Sequence, residues 1–233
     1  MDWWRWGNSS QTFSLKNKPG IASYTKEILN TEIKDNQFEK KINDIQLPSS
    51  TLTDAIKNDF LSILGHDNCK FDQYERITHA LGKSYYDMLK IRSSIIKYAP
   101  DIIVYPATVD QIQKIIQICT KNKIAIIPFG GGSSVVGGID SRKGNNEYSC
   151  CIDLSLMNKV ISIDKESMLA EIEGGIFGPE LEEELSKEGF TLGHFPQSFE
   201  FSTLGGWIAT RSSGQNSILY GGIEKLVNSM TVI

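Results

Sequence analysis

Three consecutive glycines followed by two serines form the stretch of this sequence best suited to hold an anion. The stretch follows an apolar run at 124–127, typical of a buried strand, and consists of Pro128, Phe129, Gly130, Gly131, Gly132, Ser133 and Ser134. Residues without a Cβ let a ligand oxygen approach the backbone, and successive N–H groups can point into one concavity. The stretch is therefore a candidate anion cradle, with a plain glycine-rich surface turn as the alternative.

Neither of the two common phosphate-binding motifs fits this stretch. A dinucleotide-binding fingerprint that starts at Gly130 needs a third glycine where the sequence has Val135. A P-loop that starts at Gly132 needs a lysine where the sequence has Gly138. The glycines alone consequently leave the nature of the ligand open.

A second stretch, residues 193–214, combines turn-forming residues, hydroxyl groups and aromatic rings. The side chains of its Gly-Gly-Trp-Ile-Ala segment are mostly too small to fill a core unless another group packs against them. Small residues beside aromatic rings and hydroxyls suit a large planar ligand with a polar tail. The two stretches, joined by strands, predict one extended cofactor gripped from both sides, although a simple loop would also account for the second.

The composition narrows the class of protein. The chain has 233 residues, 40% of them hydrophobic and 22% charged, with a formal net charge of −4 and a pI near 5.5, which describes an ordinary soluble globular protein. Such a charge balance offers no basic stripe for nucleic acid. No apolar run is long enough to span a bilayer, and the first residues lack a signal-peptide core, so we expect a cytoplasmic protein without a transmembrane segment.

The cysteines and histidines show no metal-ligand spacing. The cysteines, at 69, 119, 150 and 151, lack a CxxC pair, and the histidines, at 66, 79 and 194, are dispersed. We therefore expect reduced core thiols and no metal site.

The start of the chain carries Trp3, Trp4 and Trp6, which predicts an arm that docks its aromatic rings onto a larger body. A helix with apolar residues at helical spacing follows further on. Thr51 with Asp54 predicts its capped start and Gly65 its end.

After Pro100 strands and helices alternate. Residues 101–106 predict a strand, Thr108 with Gln111 predicts the start of a helix, and 124–127 predicts the next strand. Short links make this a βαβ unit whose two strands are parallel.

The downstream segments predict a second, more antiparallel sheet. Residues 149–154 form another strand candidate, and 160–163 with 169–173 predict a hairpin. A helix is predicted to begin at Gly178, with Lys187 in its last turn and Gly189 as its C-cap.

Several segments together resemble the FAD-binding domain of the vanillyl-alcohol oxidase type of flavoprotein, the PCMH-type superfamily. These segments are 128–135, 157–158, 193–194, 196, 198–203, 205–207, 210–211 and 213–214. The tryptophan-rich start and residues 82–84 also resemble the alkyldihydroxyacetone-phosphate synthase branch of that superfamily.

The resemblance implies an α+β fold. It implies an FAD-binding domain at 98–233, made of two α/β subdomains at about 98–150 and 151–233, after a partly helical N-terminal region at 1–97. The C-terminal part of the sheet and a cap domain with the substrate pocket would be missing, so the chain would be an N-terminal fragment without catalytic residues. Residues 227–233 predict the start of an unfinished strand, and an uncovered apolar face predicts poor solubility.

The resemblance also implies the residues that hold FAD, and because the glycine loop contains no histidine or cysteine, we expect FAD to be bound without a covalent link. Besides the stretch at 128–134, they are Gln197, Ser198, Phe199, Glu200, Phe201, Ser202, Thr203, Gly206, Thr210, Arg211, Ser212 and Ser213. The loop at 128–134 would wrap the pyrophosphate, with the others around the flavin and its linking chain. Gln197 stands where the family often has aspartate, and Ser133 where threonine is common.

The function implied is the FAD-binding portion of a synthase that exchanges the acyl group of acyl-dihydroxyacetone phosphate for a fatty alcohol in ether-lipid synthesis. One alternative is part of an FAD-dependent 2-hydroxy-acid dehydrogenase of the lactate or glycolate type. The other is a truncated relic without catalysis. A small-molecule or lipid substrate is expected only once the missing half is supplied, and the full-length family implies a homodimer as a possible assembly.

Overall fold

A computed structural model of the protein describes residues 3–7, 17–31 and 41–233. The fold is α+β, as expected. Its helices and strands, in chain order, are α1 (Pro19–Leu29), α2 (Asp54–Leu64), β1 (Cys69–Lys70), α3 (Gln73–Thr78), α4 (Tyr85–Arg92), β2 (Ile102–Val104), α5 (Val109–Lys121), β3 (Ile124–Phe129), β4 (Tyr148–Asp153), β5 (Val160–Asp164), β6 (Leu169–Ile172), α6 (Gly178–Lys187), α7 (Leu204–Thr210) and α8 (Ser217–Tyr220).

The main sheet has four strands in the order β1-β2-β4-β3. The predicted parallel direction of the two strands of the βαβ unit, β2 and β3, is confirmed, because both run parallel to β4. The two strands are not neighbours, however: Ile103 of β2 and Ile127 of β3 both pair with Cys151 of β4. Burial explains the central place of β4, since five of its six residues are buried, whereas β3 alternates towards solvent as an edge strand does. The carboxyl ends of all three strands consequently meet at one edge.

The adjacent cysteines of β4 point to opposite faces of the sheet. Cys150 packs in the cluster formed with α2 and α5, and Cys151 packs with Phe129 on the other face. All four cysteines are free and buried, which confirms the expected core thiols. Burial raises the pKa of the Cys69 thiol to about 11 and also raises the pKa values of Cys150 and Cys151, so these groups stay protonated at neutral pH.

Two helix starts show how local chemistry fixes the element boundaries. Thr108 caps α5 as predicted, with its Oγ1 accepting a hydrogen bond from Gln111 N at 3.3 Å. The predicted cap of α2 is wrong by two residues. Thr53, not Thr51, accepts the hydrogen bond from Ile56 N, because it directly precedes the first helical residue.

The second sheet is the predicted antiparallel hairpin, β5 with β6. The helix α6 ends with Lys187 in its last turn, as predicted, but its C-cap is Glu188, one residue before the predicted Gly189, which has a φ of +82°. The strand predicted at 227–233 is not present, since these residues have no strand partner in the part of the chain described.

The tryptophan-rich arm docks as expected. Trp3 and Trp4 pack against a buried cluster that includes Ile77 and Ile96. The Trp6 ring lies 6.3 Å from that of Phe201, centroid to centroid. The part of the chain before residue 98 also contributes to the main sheet. Its strand β1 pairs with β2, and its helix α2 packs against α5 and one face of the sheet. The domain boundary at 97/98 and the two subdomains stay predictions.

Candidate functional site

A cavity of about 370 Å³ lies at the carboxyl ends of the three parallel strands. Tyr105 just after β2, residues 130–132 after β3 and Asp153 at the end of β4 all line it. Glu75 of α3 and Phe201 of the second stretch contribute further walls. Ligands of open sheets with parallel strands bind in the crevice outside these strand ends, so the cavity is the candidate binding site.

The glycine loop lines this cavity with backbone rather than side chains. The amides of residues 130–134 donate no hydrogen bond to any of the residues described. Gly132 has a φ of +67°, in the left-handed region that favours glycine. Consecutive unpaired amides next to a cavity form a concavity that suits an anion.

Gly130 and Gly131 have a second role that the sequence did not reveal. A Cβ on Gly131 would overlap the carbonyl oxygen of Phe201 and lie 2.7 Å from its carbonyl carbon. A Cβ on Gly130 would overlap the hydroxyl of Thr203. The absence of these two side chains therefore lets the two predicted stretches pack directly against each other. The approach of a ligand to the loop amides stays a prediction.

The hydroxyl groups at 198–203 have partners within the protein. Ser202 Oγ accepts a hydrogen bond of 2.6 Å from Trp207 Nε1 and donates to the carbonyl of Ser198. Thr203 Oγ1 caps α7 by accepting from Gly206 N. Phe199 stacks on Trp207 at 6.1 Å. These residues build the wall from which Glu200 and Phe201 reach the cavity.

The other predicted site residues lie apart from the cavity. Pro128 and Gln197 are exposed, and so are Gly206, Thr210 and Ser213. Two more residues at the end of α7 have polar partners within the protein. Arg211 Nη2 lies 3.8 Å from Glu224 Oε1, and Ser212 Oγ lies 2.8 Å from the ring nitrogen Nε2 of His194. Their part in holding a cofactor stays a prediction.

The serines of the glycine loop hold its far end in place. Ser134 Oγ accepts a hydrogen bond from Gly138 N at 3.0 Å, and the carbonyl of Ser134 accepts one from Lys83 N at 2.7 Å. A Cβ on Gly82 would overlap that same carbonyl oxygen. Ser133 is half-buried beside them.

Lys83 is a cavity residue that the sequence reasoning missed. Its side chain is buried and lines the cavity beside the glycine loop, and its Nζ donates a 2.8 Å hydrogen bond to the carbonyl of Trp3. Trp6 Nε1 donates to the Lys83 carbonyl at 3.2 Å. The tryptophan-rich arm is thus tied to the site through this lysine, a connection between residues some eighty positions apart that no local pattern indicates.

Glu75, Tyr105 and Asp153 were also missed. Tyr105 Oη donates a 2.8 Å hydrogen bond to Glu75 Oε2, and His79 Nε2 lies 3.0 Å from Asp153 Oδ2. Burial and the hydrogen bond to Glu75 raise the pKa of the Tyr105 hydroxyl, which stays protonated. The positions of Tyr105 and Asp153 at strand ends are the one sequence signal that could have indicated them.

Comparison with known proteins identifies the cofactor. A family model described as an FAD binding domain matches residues 100–233, more than half of the chain. The chain belongs to this FAD-binding family. FAD is accordingly the cofactor of the domain at residues 100–233.

The relatives of this FAD-binding chain include three similar synthases. The chain is 46% identical to an alkyldihydroxyacetonephosphate synthase of Dictyostelium discoideum over 72% of this chain and 27% of the relative. It is 35% identical to the synthase of Caenorhabditis elegans over 97% of this chain and 40% of the relative. A solved alkyldihydroxyacetonephosphate synthase superposes with a TM-score of 0.85 at 36% identity, over 96% of this chain and 45% of that one. The chain thus spans less than half the length of these relatives.

A more distant structure shows the same fold. Residues of p-cresol methylhydroxylase superpose with a TM-score of 0.57 at 21% identity over 72% of this chain. This likeness supports the PCMH-type architecture.

The residues around the cavity fit FAD chemically. Gly130, Gly131 and Gly132, whose amides have no partner among the described residues, line the cavity together with Lys83, and unpaired amides beside a cationic side chain suit a pyrophosphate. Glu75 and Asp153 also line the cavity and bring acceptor oxygens, which suit hydroxyl groups. Within 3–7, 17–31 and 41–233, no cluster of histidine, cysteine and carboxylate side chains could hold a metal ion. No helix in the same ranges is long and apolar enough to cross a membrane.

Proposed function

We propose that this chain is the FAD-holding part of an alkyldihydroxyacetonephosphate synthase. The observation that supports this assignment is the TM-score of 0.85 at 36% identity over nearly the whole chain, together with a cavity at the expected end of the parallel strands. In this proposal the complete enzyme exchanges the acyl group of acyl-dihydroxyacetone phosphate for a fatty alcohol. The substrate-binding and acid–base groups would come from the part of the longer relatives that this chain does not span.

Within this chain, the residues have holding roles. The amides of 130–134 would bind the pyrophosphate, and Lys83 would place a positive charge beside it. Residues 197–203, Gly206 and residues 210–213 would contact the flavin and its linking chain, as the sequence predicts. When bound, FAD supplies an electrophilic ring that can accept electrons or a nucleophile.

We propose further that FAD is held without a covalent bond. The glycine loop contains no histidine or cysteine, and the buried cysteines of the sheet stay protonated, which makes them poor nucleophiles. Acid precipitation of the FAD-loaded protein should release the yellow cofactor into the supernatant. Flavin that stays with the precipitated protein would contradict this part of the proposal.

FAD binding itself is tested by titration of the purified chain. We expect quenching of flavin fluorescence and a shifted visible band on addition of FAD, with Gly131→Val as the variant that loses both. A protein that is folded by circular dichroism and leaves saturating FAD unaltered would contradict the proposed function.

A second candidate function is favoured by weaker relatives. The chain is 32% identical to a mitochondrial D-lactate dehydrogenase of Arabidopsis thaliana over 74% of this chain and 28% of the relative. FAD binding is common to both candidates, so it does not separate them. The discriminating assay supplies the part of the longer relatives that this chain does not span. Reduction of bound FAD by D-lactate would then favour the dehydrogenase, and acyl-to-alkyl exchange would favour the synthase. Absence of both activities in an assembly that binds FAD would favour the non-catalytic alternative. The cytoplasmic location and the homodimer stay predictions.

A further inference from the structure

A buried histidine joins three of the polar side chains that line the cavity. His79 follows α3 and is itself behind the cavity wall, with 6% of its surface exposed. Its Nε2 lies 3.0 Å from Asp153 Oδ2 and 3.3 Å from Tyr105 Oη, and its Nδ1 lies 3.4 Å from Glu75 Oε2. These partners come from α3, from the residue after β2 and from the end of β4. His79 is therefore the contact that ties the three together.

Contacts at both ring nitrogens hold His79 in place. Nδ1 lies 2.8 Å from the carbonyl oxygen of Glu75 and 3.1 Å from Thr78 Oγ1. Nε2 faces the carboxylate of Asp153 and the hydroxyl of Tyr105. The orientation of the ring between Glu75 and Asp153 is therefore fixed from both sides.

The same contacts leave acceptor capacity facing the cavity. Asp153 Oδ1 accepts from Ser155 N at 2.7 Å and Oδ2 is turned to His79, so the carboxylate is fixed in orientation. Glu75 Oε2 accepts from Tyr105, and no residue in the described part of the chain donates to Glu75 Oε1. Two oriented carboxylates thus stand near the amides of the glycine loop, a combination that suits a ligand with hydroxyl groups next to phosphates.

We propose that His79 is a positioning residue of the FAD site, which holds Glu75 and Asp153 as an acceptor wall for the hydroxyl groups that flank the pyrophosphate. This inference rests on the proposed binding of FAD. Without His79, Glu75 and Asp153 would lose the side chain that contacts both of them. The wall would then lose its orientation towards these hydroxyl groups.

The test compares His79→Gln with His66→Gln, a matched control at an exposed histidine. Binding of FAD, ADP, FMN and inorganic pyrophosphate is measured for each protein by calorimetry. We expect His79→Gln to bind FAD about tenfold more weakly, because a lost hydrogen bond to a carboxylate costs about as much as one decade of affinity. The affinity for ADP should fall together with that for FAD if Glu75 and Asp153 contact the adenosine ribose. The affinity for FMN should fall instead if these carboxylates contact the ribityl chain. Pyrophosphate, which contacts only the loop, keeps its affinity.

Several outcomes would overturn the inference. Equal FAD affinity in His79→Gln and His66→Gln would do so, and so would a loss of affinity that is the same for pyrophosphate as for FAD, which indicates a merely structural role. Absence of FAD binding in the unaltered protein would instead contradict the proposed function. Asp153→Asn, which keeps the side-chain shape, provides the same measurement if His79→Gln does not fold, and we expect the same selective loss.

Discussion

Addition of one methyl group at Gly131 is expected to disturb both the stability and the FAD site of this protein. In the folded chain the Cβ of Gly131→Ala would overlap the Phe201 carbonyl oxygen and lie 3.0 Å from Cε1 of Phe177. The obstacle is largely backbone, which cannot rotate away as a long side chain can. The segment around Phe201 must therefore move away from the glycine loop, and the cavity wall moves with it.

The magnitude follows from the cost of overpacking. An extra methylene group in a well-packed site typically destabilises a protein by about 1–3 kcal/mol. For a chain of this size each kcal/mol corresponds to roughly 2–4 °C of melting temperature, so we expect a decrease of roughly 2–12 °C. Because Phe201 lines the cavity, we also expect FAD to bind about tenfold more weakly, which corresponds to ~1.4 kcal/mol.

The assay is a thermal melt combined with a titration of flavin fluorescence. Gly20→Ala serves as the control, because no atom lies within 4 Å of the Cβ that it would add in the first turn of α1. If Gly131→Ala melts and binds FAD as Gly20→Ala does, the two stretches do not depend on their close approach. The explanation given for the glycine would then be wrong.

Two further predictions concern the arm and a buried histidine. Trp6→Phe keeps a ring beside Phe201 but removes the donor to the Lys83 carbonyl. It should lower the free energy of unfolding, measured in urea, by about 0.5–1.5 kcal/mol. An unchanged free energy of unfolding would contradict the docked position of the arm. Burial lowers the pKa of His194 below its usual 6.5, so as the pH falls through that value the unfolded chain takes up a proton that the folded chain does not, and stability is lost. His194→Gln should therefore lose less stability in urea between about pH 7 and pH 5 than the unaltered protein, and an identical loss would refute this reasoning.

Local pattern was enough to predict much of this fold. The apolar spacing of α5, its cap at Thr108 and the β5–β6 hairpin all depend on residues close together in sequence, and each was predicted correctly. The cap of α2 was misplaced because Thr51 and Thr53 both precede the helix and have the same side chain. Such a choice depends on backbone geometry, which composition does not encode.

The site was less accessible to sequence reasoning because its contacts are distant in sequence. The glycine loop and the stretch around Phe201 were recognised as candidates, yet their direct packing was not, since nothing in either stretch specifies the other as its neighbour. Lys83 and His79 belong to the part of the chain before the predicted domain boundary, and only the folded chain brings them to the strand ends. Tertiary contact, rather than residue type, defines their role.

The central position of β4 has a consequence for the order in which the chain can fold. Neither β2 nor β3 has a parallel partner until β4 arrives, and the Asp101 to Ser149 contact at the start of this pairing closes 48 residues of chain. Loop closure of this length must come before the contacts that stabilise the sheet, which makes such a step slow. On the ribosome, β2 would keep one unpaired edge and β3 would have no strand partner until residue 153 has emerged, and this interval is when the nascent chain most needs protection from aggregation.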